Sequence, residues 1–240
     1  MPPTDPPPIP PSAIADLRAA LPAFDILQVN TGTKGICAPP VVDCLVDLTR
    51  RIEAGGFLAY AEVQERAASA RDRLARFFGA DPTELAFTGN ATESLNVALA
   101  LPWGAWGAPV DVLISDHEYP TTNLVFGYLQ QIGLARLVRY PLSDDPALTL
   151  QALEERVTPR TRLLVASHVC CNTGLRADVA ALCAWARERD LVSCVDGAQA
   201  AGQFPIDLHA IGCDLYVTNG HKWLYGPNGV GLLYVRDGVE

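Results

Sequence analysis

Between residues 39 and 80 apolar side chains recur at helical spacing, interrupted once by the pair Gly55-Gly56. Two adjacent glycines break a helix, so the pattern predicts a first helix and then a second running through Val63, Ala67, Leu74 and Phe77. After Asp81-Pro82 the rhythm changes to short apolar runs alternating with helical stretches. The runs predict strands at 84–88, 111–115, 135–140, 162–168, 191–195, 214–218 and 230–235. Helices are predicted between them at 91–101, 120–132, 149–157 and 178–189. Repeated βα units of this kind give an α/β fold with a mostly parallel seven-stranded sheet, covered by helices on both faces. No helix separates 214–218 from 230–235, which leaves one of that pair free to run antiparallel. Ligands of such sheets bind at the carboxyl ends of the strands, so the loops after 88, 115, 168, 195 and 218 are expected to converge on one site.

The opening MPPTDPPPIPPS is too rich in proline to hold a helix or a central strand. Residues 1–11 are therefore expected to form a disordered or polyproline lead, with folding beginning near Ser12 as an N-cap. The helical segment 12–80 and the α/β part 81–240 are read as one domain.

Composition narrows the class. Of 240 residues 49% are hydrophobic and 19% charged, the profile of a packed globular chain. A net charge of -9 leaves no basic stripe to neutralise phosphates, which argues against a nucleic-acid or anionic-membrane partner. No apolar run approaches the roughly 20 residues that span a bilayer, and the first residues do not resemble a signal peptide, so a cytoplasmic protein is expected. The cysteines at 37, 44, 170, 171, 183, 194 and 213 form no C-x-x-C pair, which argues against a disulfide framework or a zinc site. Most are read as small buried hydrophobes.

Three loops carry unusual residues. The strand at 84–88 runs through Thr88-Gly89-Asn90-Ala91-Thr92 into a helix, whose free N–H groups, with the Thr92 hydroxyl, would cradle an anion. Asn or Thr before a helix also serves as a plain N-cap, and both readings stand. The strand at 191–195 leads to Asp196, a carboxylate at the tip of a buried strand, with Gln199 behind it. A buried Asp needs a partner, which a protonated pyridine ring would supply; the alternative is a helix-capping Asp. The strand at 214–218 leads to Asn219-Gly220-His221-Lys222-Trp223. A lysine among apolar strands loses part of its basicity and becomes a nucleophile able to form an imine and to carry protons. His221 is read as a phosphate contact or a satisfied core histidine.

Together VDGAQA at 195–200 and TNGHKWLYGPNGVGLLYV at 218–235 resemble the class V aminotransferase family of fold-type I enzymes that use pyridoxal 5'-phosphate (PLP). The likeness extends through NTGTKG at 30–35, FTGNATESLN at 87–96, DHEYPTTN at 116–123 and SHVCCNTG at 167–174, so it covers nearly all of the chain after the proline lead. It implies a large PLP-binding domain in which Lys222 forms the Schiff base, Asp196 pairs with the pyridine nitrogen and Gln199 reaches the ring hydroxyl. Ala91, Thr92 and His221 would hold the phosphate, with Asn219 where many relatives place a serine, and Tyr119 would stack on the cofactor face. Ordinary core packing is the alternative for Tyr119.

The resemblance also implies an amino-acid substrate and a homodimer with shared active-site loops. Cysteine desulfurases usually carry Asn where this chain has Cys171, with Asn172 one place later, so the contact of that loop to the ring hydroxyl passes to Asn172 or is lost. The segments N-A-T-E-S-L-N, E-Y-P and G-H-K-W are more similar to the cystine C–S-lyase and isopenicillin-N-epimerase branch. Relatives continue into a small C-terminal domain with a substrate-gripping arginine, and that domain is expected to be absent here. Arg176 is read as a surface or helix-start residue and not as its replacement, and Cys170 and Cys171 as packing residues.

The leading expectation is a PLP enzyme that breaks or moves bonds at Cα or Cβ of an amino acid, as a C–S lyase, desulfurase or epimerase, with transamination as the nearest rival. A truncated PLP-binding module or inactive remnant is the alternative from a different class. A nicotinamide site is disfavoured, because no G-x-G-x-x-G follows the first strand.

Overall fold

The computed structural model describes residues 10–20 and 26–239. Its elements in chain order are helices α1 (Pro11–Ala20), α2 (Pro39–Gly55) and α3 (Phe57–Phe78), strand β1 (Leu85–Thr88), α4 (Ala91–Asn96), β2 (Val110–Ser115) and α5 (Pro120–Gln131). Then come β3 (Ala135–Tyr140), α6 (Pro146–Glu154), β4 (Thr161–Ser167), α7 (Val179–Arg187), β5 (Val192–Asp196), α8 (Leu208–Ile211), β6 (Leu215–Asn219) and β7 (Gly231–Val235). Among these residues no helix is long and apolar enough to cross a membrane.

The strands form one seven-stranded sheet in the order β1-β7-β6-β5-β4-β2-β3. Neighbours from β3 to β6 are parallel, whereas β7 runs antiparallel to both β6 and β1. The strand not preceded by a helix is thus the reversed one.

Strand residues alternate between two cores. On one side lie Val112, Ile114, Leu163, Val165, Leu215, Val217 and Leu233, covered by Leu95 of α4 and by Phe126 and Leu129 of α5. On the other lie Leu113, Leu164, Ala166, Tyr216, Leu232 and Tyr234, covered by Phe78 of α3, Leu153 of α6, Leu182 of α7 and Leu208 of α8. Burial on both faces is why the central strands are continuous apolar runs without an alternating pattern. Each fully buried aliphatic or aromatic side chain stabilises the fold by about 1.5–3 kcal/mol relative to exposure.

Several boundaries differ from expectation for visible reasons. Of the lead expected over 1–11, residues 1–9 lie outside the described residues; α1 begins at Pro11, inside the expected lead, so Ser12 sits inside the first turn and not at a cap. Proline fits there because the first turn has no use for its missing N–H. The helix expected over 91–101 stops at Asn96 and tightens into a 3-10 turn over Val97–Ala100. Helix α6 starts three residues before the expected 149, because the Asp145 carboxylate caps Ala147 N–H and Pro146 takes the first helical position. Helix α8, capped by Asp207, was not expected; four residues are too few for periodicity to register. In α3 the buried residues are Ala75 and Phe78, while Phe77 faces solvent. Helix α2 has no buried residue, and Val41, Val42, Leu45 and Val46 stand exposed along it.

Candidate functional site

The carboxyl ends of β1, β4, β5 and β6 and the start of α5 surround a cavity of about 660 Å³. Its wall includes Thr92, Tyr119, Asn172, Gln199, Asn219, His221 and Lys222. A small adjoining recess is lined by Asp196 and Ser167 and shares Tyr119, Cys171, Gln199 and Lys222 with the main cavity. The residues picked out in the loops therefore meet at one place, except Ala91, which lines neither space.

Lys222 follows β6 by three residues and is only 8% exposed. Its amine has no hydrogen-bond or ion-pair partner among the described residues; the Tyr119 ring lies 5.2 Å from Nζ. Burial lowers its pKa below the usual lysine range, partly offset by Asp196 and Cys171. An amine whose basicity is lowered this way loses its proton at lower pH than an ordinary lysine, and the neutral form is the one that attacks a carbonyl. Tyr119 itself is 43% exposed and caps α5, which is incompatible with core packing.

Asp196 ends β5 and is 5% exposed. One carboxylate oxygen accepts the Ala198 N–H at 2.9 Å, a local turn, and the other accepts the Thr122 hydroxyl of α5 at 3.1 Å. Burial raises its pKa despite these bonds and the nearby Lys222 charge. A cation at the recess would pull it down. A carboxylate of this kind suits a ring nitrogen that must stay protonated.

At the far end of the cavity, Asn90 and not Thr92 caps α4, by accepting the Glu93 N–H at 2.9 Å. The Thr92 hydroxyl has no partner among the described residues. Ala91, expected to offer its N–H to a phosphate, donates it at 2.8 Å to Oδ1 of Asn219. The physical reason is that the Asn219 amide is buried and needs a donor, which leaves its Nδ2 as the group for a ligand. His221 is not a satisfied core histidine: its Nδ1 is buried and has no hydrogen-bond partner among the described residues, and burial followed by the Lys222 charge lowers its pKa. Thr92, Asn219 and His221 thus present three uncommitted polar groups, which fit an anionic phosphate.

Gln199 was expected to reach a ring hydroxyl. Its Nε2 donates to the Gly32 carbonyl at 2.9 Å and its Oε1 accepts the Trp223 indole N–H at 2.8 Å, so the amide also ties the 30–35 loop to the lysine segment. Gly35 completes the tie, with its N–H 2.7 Å from the His221 carbonyl. A Cβ at Gly35 would lie 2.1 Å from the Lys222 carbonyl oxygen, so only glycine permits this approach. Asn172 is exposed at the cavity wall and accepts the Cys171 thiol at 3.5 Å. Arg176 does not line the cavity; its guanidinium sits 3.9 Å above the Phe204 ring. All seven cysteines are free, with 170, 183, 194 and 213 buried and Cys44 exposed.

Two site residues escaped the sequence reading although both lie in segments singled out there. Glu118 is buried and accepts hydrogen bonds from Ser115 and Ser167; burial pushes its pKa up to about 7, with the Asp196 charge adding to the rise against the bonds from the two serines. His168, beside the recess, bonds the Tyr216 hydroxyl at 3.0 Å, and burial pulls its pKa down to about 4.

The family model described as aminotransferase class-V matches residues 49–240. Isopenicillin N epimerase of Amycolatopsis lactamdurans is 36% identical over 218 residues, which are 88% of this chain and 54% of that protein. A cysteine desulfurase of Klebsiella pneumoniae (strain 342) is 37% identical over 179 residues, 73% of this chain and 44% of that protein. Among solved structures, a variant of C-DES with glycine covalently linked to its PLP cofactor matches with a TM-score of 0.83 at 26% identity, covering 92% of this chain and 59% of that one. The chain spans about half the length of the curated relatives it matches.

Proposed function

This chain belongs to the aminotransferase class-V family, whose cofactor is PLP, and on that premise we propose that it binds PLP through Lys222 and acts on an amino acid at Cα or Cβ. The observation that carries the reading is a buried lysine amine without a hydrogen-bond partner among the described residues, facing Tyr119 and sharing a recess with buried Asp196. Thr92, the Asn219 Nδ2 and the His221 Nδ1 would bind the phosphate. Asp196 would keep a proton on the pyridine nitrogen, Tyr119 would cover the ring face and exclude water, and Gln199 and Asn172 would border the ring hydroxyl. When bound, PLP supplies an electron sink that stabilises negative charge at the substrate Cα. Lys222 Nζ would move the proton at that carbon.

A C–S lyase, desulfurase or epimerase reaction is favoured, since the similar proteins include an isopenicillin N epimerase and cysteine desulfurases. We propose a homodimer in the cytoplasm with a small amino-acid substrate. The test is to add PLP to the purified chain, record the visible band of lysine-bound cofactor, reduce with borohydride and map the labelled peptide. The chain has one other lysine, Lys34, so the map is unambiguous. Label on Lys222, with the band lost in Lys222→Ala, supports the reading; no band, or label confined to Lys34, overturns it. Amino acids added next separate the branches, because pyridoxamine phosphate accumulates only when an amino group is transferred.

A further inference from the structure

Glu118 follows the end of β2 by three residues, is buried, and has no part in the chemistry of the proposed function. Its Oε1 accepts the Ser115 hydroxyl at the end of β2 and the Ser167 N–H at the end of β4, the latter at 2.7 Å. Its Oε2 accepts the Ser167 hydroxyl at 2.8 Å, so one carboxylate takes three donors from two strand ends. The residue after it is Tyr119, whose ring lies over Lys222 Nζ. One turn further, Thr122 donates to the Asp196 carboxylate. Ser167 is paired across the sheet with Asp196 and lines the same recess.

Given the PLP reading, on which this rests, we infer that Glu118 is a positioning residue for the cofactor. Its carboxylate locks the 115–119 turn to β2 and β4 and so sets Tyr119 above the ring position and Thr122 against Asp196. A buried glutamate is a costly way to join two strands, and an apolar side chain would fill the space without that cost. What the carboxylate adds is direction: three hydrogen bonds fix the turn where van der Waals contact would let it slide. Glutamine copies the protonated acid, which burial and the Asp196 charge already favour near neutral pH. It keeps an acceptor for the Ser167 N–H, whereas leucine keeps none and aspartate falls one methylene short.

The experiment uses the full chain with PLP and reads the dissociation constant together with the induced circular dichroism of the bound cofactor, a signal that reports ring orientation and not global stability. Glu118→Leu is expected to weaken PLP binding about tenfold and to reduce the induced signal, with Glu118→Gln restoring affinity to within about threefold of wild type. If the leucine variant fails to fold, Glu118→Asp takes its place with the same expectation. Leucine or aspartate variants with wild-type affinity and induced signal overturn the inference while leaving the PLP reading intact. A wild-type chain without bound PLP would instead sink the cofactor reading, and this inference with it.

Discussion

The indole N–H of Trp223 donates to Gln199 Oε1 at 2.8 Å, so the residue beside Lys222 holds the amide that in turn holds Gly32. Three segments far apart in the chain meet through this one side chain. Trp223→Phe keeps most of the buried surface and removes the bond. The loss of about 1 kcal/mol for such a neutral hydrogen bond is expected to weaken PLP binding roughly fivefold. Equal affinity of variant and wild type in an absorbance titration would show that Gln199 is held without it.

Lys222 is expected to react as an amine at lower pH than an ordinary lysine. Burial is the cause, and it disfavours the charged form. Acylation followed by peptide mass spectrometry, repeated across pH without PLP, is expected to show Lys222 reaching half its maximal rate below the usual 10.5. A midpoint at or above that value would remove the argument that the protein prepares this amine.

Gly197 lies one residue after Asp196, and a Cβ there would sit 2.1 Å from the Tyr216 hydroxyl oxygen. That hydroxyl is the partner of His168 Nδ1. Gly197→Ala must displace the tyrosine and is expected to destabilise the fold by about 1–3 kcal/mol, the usual range for overpacking. Urea unfolding with an unchanged midpoint would contradict this close packing of Gly197 against Tyr216.

Glu84 and His209 form a pair at 2.6 Å that ties α8 to the sheet edge, and Glu84 also accepts the Asp81 and Asp237 N–H groups. Burial works to raise the Glu84 pKa, but the bonds outweigh it and the value falls below 4.5. Its stabilisation is therefore present above 4.5 and is lost as pH falls through the lowered value. His209 is raised above 6.5 by the same bond, so its contribution is complete below 6.5 and is lost as pH rises through the raised value. The pair supports the fold most between these limits. Solvent screens His209, which holds the expected effect of His209→Ala to about 1 kcal/mol. Thermal unfolding should show a larger deficit for the variant at about pH 6 than at about pH 9. A deficit that does not change with pH would mean that the histidine acts by packing alone.

The sheet was legible because strands covered on both sides must be apolar throughout, as Val112-Leu113-Ile114 are, and every strand end lies within one residue of its expected place. Helix ends were less legible. The Asp145-Pro146 start was readable as cap and first turn, but the apolar spacing drew attention to later residues. In the site, Lys222 and Asp196 stood out because a charge flanked by apolar strands has few reasons to be there. Glu118 did not, because a glutamate in a polar loop looks like a solvated charge until Ser115 and Ser167 are seen to enclose it. The Ala91–Asn219 bond joins residues 128 apart and leaves no local trace.

The tie between the 30–35 loop and the lysine segment joins residues 167 apart, as Gln199 and Gly32 are. A chain made from its amino end carries that loop long before anything exists for it to rest on. Contacts of such range reward the chain only after the closure entropy of everything between has been met, so they form late in folding. The stretch synthesised early is thus among the last to find its place, and one wall of the cavity is finished only when the final strands are in the sheet.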